Sequence, residues 1–275
     1  GFNKNSTDPG WIAAGPAHLT SQVIDPIDNG WLRLSDTTPN SLSSVLNHTG
    51  GISPKDGLSI RFDLASWKWE LSNQFGMSFF LYDAKLDMTG AIGKEGLGYC
   101  KGVGAYLGLG FDAYGSFSSA TNCGEPVTNQ PFGVAIRGPH NVANALLAKT
   151  IFPADFQSRA SQQRPYPKEV QLDLIPKKNG IGYAVTLKLK DSFSNEVKTI
   201  FEKIDFPYAA PPLLRVGFAA TLGNAKATQE IKNLSVNKLV AANITIKAST
   251  NNKLYFNTTG MGALATENFD GAVAK

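Results

Sequence analysis

Apolar and polar residues alternate one for one along several short stretches of this chain. Leu58-Ser-Ile60-Arg-Phe62-Asp-Leu64 puts its apolar side chains on one face and Ser59, Arg61 and Asp63 on the other. Val170 to Leu174, Val185 to Lys190 and Leu214 to Phe218 repeat the pattern. A period of two is the side-chain period of extended backbone, so each stretch predicts a strand with one buried face, as antiparallel sheets have. Met77-Ser-Phe79-Phe80-Leu81-Tyr82 is apolar nearly throughout, which predicts a strand near the middle of its sheet.

Turn-forming residues divide these stretches: Asp8-Pro-Gly10, Asp28-Asn-Gly30, Thr49-Gly-Gly51, Lys178-Asn-Gly180 and Pro211-Pro212. Short strands between such turns predict an all-β sandwich or jelly roll. One segment, Val142 to Lys149, has helical character and is expected to form one or two turns of helix. Ala154 to Lys168 is polar, carries Arg159, Arg164, Pro165 and Pro167, and is expected to run over the surface as a long loop. Residues 1–237 are assigned to the sandwich. Beyond them the composition shifts to Asn, Thr, Ala and Gly, and 238–275 is expected to be a linker or the start of a further β element. Asn243 to Lys247 and Lys253 to Phe256 are candidate short strands there.

Composition narrows the class. The chain has 275 residues, 42% hydrophobic and only 17% charged, enough to bury a core beneath an uncharged polar surface. Such a surface suits a secreted or cell-surface β protein. The net charge of +4 is small and its lysines are scattered, with no aromatic–basic interleaving, so nucleic acid is not an expected partner. No run of about 18 apolar residues predicts a membrane span. No charged and then apolar leader opens the chain.

Cys100 and Cys123 flank the stretch Gly104 to Ser116. A disulfide between them would close a loop, stabilise by about 3 kcal/mol and imply an oxidising compartment. The alternative is a pair of unrelated free thiols. The flanked stretch is itself an apolar strand that delivers one carboxylate, Asp112, to a Gly/Ser-rich loop, a common way to present oxygen ligands.

Catalytic constellations are missing. Retaining glycanases need two carboxylates about 5 Å apart, commonly Glu-x-Asp on one strand face. No Glu-x-Asp occurs, and Glu202 with Asp205 and Asp83 with Asp87 have the wrong spacing. No Gly-x-Ser-x-Gly elbow is present, and His18, His48 and His140 are far apart in sequence. The chain is not expected to be an enzyme.

Five segments in order resemble the bacterial L-type, legume-like lectin domains of surface adhesins and exoproteins. They are Gly30-Trp-Leu-Arg-Leu-Ser35, Gly57 to Asp63, Gly76 to Asp83, Gly96-Leu-Gly-Tyr99 leading into Gly104 to Ser116, and Leu214 to Gly223 with Gln229 to Ser235. The resemblance implies a concanavalin A-like antiparallel β-sandwich whose loops bear the ligand site. Four site elements follow from it. The family's sugar-binding Asp is replaced by Phe75, an aromatic that either stacks on a sugar or packs in the core. A backbone N–H ahead of the LGLG strand is carried by Gly104 or Ala105. The calcium loop corresponds to Asp112, the Tyr114 carbonyl, Ser116 and Glu125, so calcium is the cofactor implied. Asp112 has a second reading, as a loop carboxylate capping backbone N–H groups. The variable loop is Leu222 to Lys226, with Asn224 as a candidate contact.

Gly110 and Phe132 stand where the legume transition-metal site needs Glu and His, so that site is expected to be absent. Trp67 and Trp69 share one strand face and are expected to pack in the core or on the back of a sheet. The function implied is a non-catalytic, glycan-binding adhesion module. The alternative is a structural or protein-binding sandwich without its sugar site, whose tail, 238–275, joins other subunits.

Overall fold

The computed structural model describes residues 2, 4, 10–36, 38–68, 75–88, 92–100, 102–113, 115, 117–119, 123, 133–151, 162–223, 226–239, 243–248 and 254–259. The strands are β1 (Trp11–Ala14), β2 (His18–Leu19), β3 (Leu32–Ser35), β4 (Leu42–Asn47), β5 (Leu58–Trp67), β6 (Phe75–Asp83), β7 (Ala105–Asp112) and β8 (Gly133–Arg137). They continue with β9 (Leu146–Ile151), β10 (Lys168–Pro176), β11 (Tyr183–Asp191), β12 (Val197–Phe206), β13 (Leu214–Leu222), β14 (Thr228–Lys238), β15 (Asn243–Ala248) and β16 (Leu254–Thr259).

Two seven-stranded antiparallel sheets make an all-β sandwich. The first has the order β1-β4-β13-β6-β7-β8-β9 and the second β12-β11-β10-β5-β14-β3-β2. Each expected alternating stretch lies in a strand: β5, β10, β11 and β13. The apolar Met77 to Tyr82 falls in β6, the middle strand of the first sheet.

Alternation decides what fills the space between the sheets. Ile60 and Phe62 of β5 face Phe79 of β6 and Phe218 of β13, all at most 1% exposed. Phe62 lies 5.6 Å from Phe79 and 5.3 Å from Phe218, ring centroid to centroid, the latter edge to face. Each such ring contributes roughly 2–3 kcal/mol through burial.

The expected helix at Val142 to Lys149 does not form. A short 3-10 turn, His140–Val142, ends at Ala143 and Asn144, whose φ values of +55° and +50° break any helical run. Leu146–Ile151 then pairs with β8 as an edge strand. Pairing to an existing sheet edge outweighs the weak helix propensity of a short Ala/Leu segment. Residues 243–248 and 254–259 do form strands, which pair with each other in a two-stranded sheet.

Candidate functional site

β7 carries the acidic residue singled out by its pattern. Leu107, Leu109 and Phe111 point between the sheets, so Gly108, Gly110 and Asp112 share the outer face of the first sheet. The two glycines have a packing reason. A Cβ on Gly108 would lie 2.8 Å from the Tyr99 ring, and one on Gly110 would lie 2.2 Å from the Phe117 ring. The rings occupy the space the glycines leave, within a second apolar cluster of Leu46, Phe80, Tyr82, Met88, Leu97 and Ala219. The outer face of this sheet is therefore covered beside Asp112.

Asp112 is 3% exposed, and its Oδ2 accepts the backbone N–H of Phe117 at 2.6 Å. The carboxylate thus caps the loop that follows its own strand. Arg137, at the end of β8 and 2% exposed, holds the same loop from the other side. Its Nε donates to the Phe117 carbonyl at 2.6 Å, Nη1 to the Asn144 carbonyl at 2.7 Å, and Nη2 to the Ser119 carbonyl. Burial pushes the guanidinium down to about 10, opposed by the charge of Asp112, so it stays cationic at neutral pH. Tyr99, whose hydroxyl donates to the Gly138 carbonyl at 2.8 Å, is pushed far above the usual phenol range by burial.

The candidate residues do not all come together. Phe75 opens β6 opposite Leu222, and Asp112 opposes Gly76, so both lie at one end of the first sheet. Only the backbone of Phe75 is described. Gly104 and Ala105 lie at the other end of β7: Ala105 opposes Tyr82, and the Gly104 carbonyl accepts the Asp83 N–H at 2.9 Å. The length of β7, roughly 23 Å at about 3.3 Å per residue, separates them from Asp112. Tyr114, Ser116, Glu125 and Asn224 lie outside the described residues, as does Trp69.

A different glycine turn packs near the Asp112 end. Gly96, Leu97 and Gly98 have φ values of +52°, +56° and +85°, a run that glycine tolerates and other residues resist. The Leu97 carbonyl accepts the Ser78 hydroxyl at 2.7 Å, and the Leu97 side chain fills the space beside Gly76, the residue opposite Asp112. Cys100, just beyond this turn, is disulfide-bonded to Cys123, with Cα atoms 5.3 Å apart. The Gly96-Leu-Gly-Tyr99 stretch, and not Gly104 or Ala105, is the glycine segment that lies beside the Asp112 end of β7.

Calcium takes six to eight oxygens. The described residues offer one carboxylate here, already bonded to a backbone N–H and facing a guanidinium. No group of three or more His, Cys, Asp or Glu side chains able to hold a metal ion occurs among the described residues. That donor set does not by itself form a calcium site.

The outer face of the second sheet holds a polar network missed from sequence. Glu230 of β14, 0% exposed, accepts from Arg33 Nε at 2.7 Å and from Arg164 Nε at 2.5 Å. Arg164 also binds both carboxylate oxygens of Asp25, at 2.7 and 2.8 Å. Burial works against the ionised Asp25 carboxylate, yet hydrogen bonds from Arg164 and Thr20 hold it below the ordinary range. The Arg164 guanidinium lies over Trp31 and Trp67 at 5.1 and 5.5 Å. Trp67 thus packs on the back of the sheet, and the polar loop before β10 is fastened there.

No protein-family model matches this sequence, and no curated protein matches it either. Solved structures do. Lectin II from Ulex europaeus superposes with a TM-score of 0.60 at 14% identity, over 86% of this chain and 95% of that one. The Emp46p carbohydrate recognition domain, potassium-bound, gives 0.58 at 16% identity over 88% and 96%. The VIP36 exoplasmic/lumenal domain, Ca2+/Man-bound, gives 0.56 at 13% identity over 94% and 93%. The fold is the legume-lectin sandwich. Identities this low establish the fold and nothing finer. No described helix is long and apolar enough to cross a membrane.

Proposed function

We propose that this chain is a non-catalytic carbohydrate-binding module of a secreted or cell-surface bacterial protein, acting in adhesion with a glycan as its partner. The observation that carries this reading is a lectin sandwich spanning most of the chain, with one rim held rigid. There the Gly96–Gly98 turn and the loop after Asp112 are tied by Arg137 and by Cys100–Cys123. Rigid loops on a rigid scaffold lower the ordering cost of binding a flexible sugar. Phe75, Asp112, Ser116 and Asn224 belong to the proposed contact region; Gly104 and Ala105, at the far end of β7, are replaced in it by Gly96 to Gly98.

A calcium ion at this rim would draw on Asp112, the Tyr114 carbonyl, Ser116 and Glu125. Bound there, it would cross-link the loop, competing with the Phe117 N–H and facing the charge of Arg137. The disulfide supports an oxidising compartment. Residues 238–275 are read as a linker or the start of a further β element, supported by the β15–β16 pair.

One observation favours a second reading, a protein-binding sandwich without its sugar site: the Asp112 carboxylate is buried and spent on capping the Phe117 N–H. A glycan array probed with calcium and with chelator separates the two. Binding in either condition supports the lectin reading, and silence in both sinks it.

A further inference from the structure

Tyr166 and Phe193 stand side by side in solvent, 62% and 70% exposed, with ring centroids 4.9 Å apart and planes inclined by 39°. Large rings usually bury most of their area, so an exposed pair held in place calls for a ligand. Neither ring is loosely attached. Tyr166 sits between Pro165 and Pro167, just before β10. Phe193 sits in the β11–β12 turn, where Asp191 Oδ1 accepts the N–H groups of Phe193 and Ser194 at 2.8 and 2.9 Å. The Ser192 N–H donates to the Pro167 carbonyl at 3.1 Å, joining the two segments.

Beneath the rings lies an ion pair between Lys168 and Asp191, each 8% exposed. With Gln163, Arg164 and Pro165 they line a cavity of about 440 Å³, within the range of small-ligand sites. The cavity opens at the end of the second sheet where β10 begins and β11 ends.

We propose that this cavity binds a pyranose ring, in a saccharide site whose lining residues are distinct from those of the Asp112 rim. The C–H face of a pyranose stacks on the aromatic pair, while its hydroxyls reach the charged floor. A hydroxyl both donates and accepts, matching a carboxylate and an ammonium set side by side. A proline-rich peptide would also stack on the rings, but its backbone offers mainly carbonyl acceptors and it needs an elongated groove. The proposal rests on the lining of this cavity and not on the Asp112 rim.

The test is a glycan array run with the wild type, the double variant Tyr166→Ala/Phe193→Ala and Asp112→Asn, with decaproline titrated in parallel. Both rings are exposed, so the double variant is expected to keep its melting temperature. At least one glycan should bind the wild type and Asp112→Asn alike and lose roughly tenfold or more in affinity to the double variant. An unchanged glycan profile in the double variant overturns the proposal and leaves the Asp112 reading standing. Loss confined to Asp112→Asn has the same meaning. A wild type that binds no glycan overturns both readings. Decaproline binding that requires the two rings, without glycan binding, replaces the saccharide with a peptide.

Discussion

Arg137 donates its Nε–H to the carbonyl of Phe117 at 2.6 Å, across twenty residues of chain. The same guanidinium serves the Ser119 and Asn144 carbonyls, so one buried cation ties the loop after β7 to the segment before β9. Arg137→Leu is expected to lower stability by about 3 kcal/mol or more, because three carbonyls lose their donor together. Arg137→Lys should recover only part of this, since an ammonium lacks the planar fork. Urea denaturation of the three proteins measures both effects.

Arg137 also bears on calcium. A cation already crosses this loop, so millimolar calcium is expected to move the melting temperature by less than about 2 °C relative to chelator. A rise of several degrees that Asp112→Asn removes would instead locate calcium at the loop.

The Cys100–Cys123 bond encloses the whole of β7 and fastens the Gly96–Gly98 turn. Its removal in Cys100→Ser/Cys123→Ser should cost about 3 kcal/mol on the chain-entropy model. Denaturation midpoints of the wild type with and without reductant should differ in the same direction, and the double variant should be insensitive to reductant.

Glu230 is a buried carboxylate shared by Arg33 and Arg164. Glu230→Ala leaves both guanidinium groups short of their partner and should destabilise by about 3–5 kcal/mol. Arg164→Ala should cost less and expose the loop before β10, read as faster proteolysis at 162–167.

Asp191 links stability to acid. Burial would raise its carboxyl, but the bonds from Lys168, Ser194 and Phe193 outweigh that and bring it down to about 2, below the ordinary 3.8. A depressed acid contributes fully above its unfolded value and loses its contribution as pH falls from about 4 through about 2. The pair is buried but borders an open cavity, so solvent screening reduces its contribution to about 1 kcal/mol. Lys168→Met should flatten the stability profile over that window, as thermal melts at pH 2 to 5 would show.

The strands were legible because a period of two in the sequence is itself the geometry of a strand. Leu58 to Leu64 and Leu214 to Phe218 needed no partner to reveal their buried faces. The Val142 to Lys149 stretch was misread because its choice between helix and strand depended on the free edge of β8, which no local pattern records. At the site, Asp112 was visible as a lone carboxylate at a strand end, and its capping role was one of two readings open to it. That Gly104 lies a strand's length away could not be read from order along the chain.

By itself the sequence determined an all-β sandwich, the faces of its main strands and a carboxylate at the end of β7. These follow from local alternation and turn chemistry, which act over a few residues. Tertiary structure decided what surrounds that carboxylate. It set Arg137 against Phe117, Tyr99 against Gly108, and Arg33 against Glu230, a pair 197 residues apart. Such contacts depend on which strands become neighbours, and strand order is settled by burying both sheets at once rather than by any one segment.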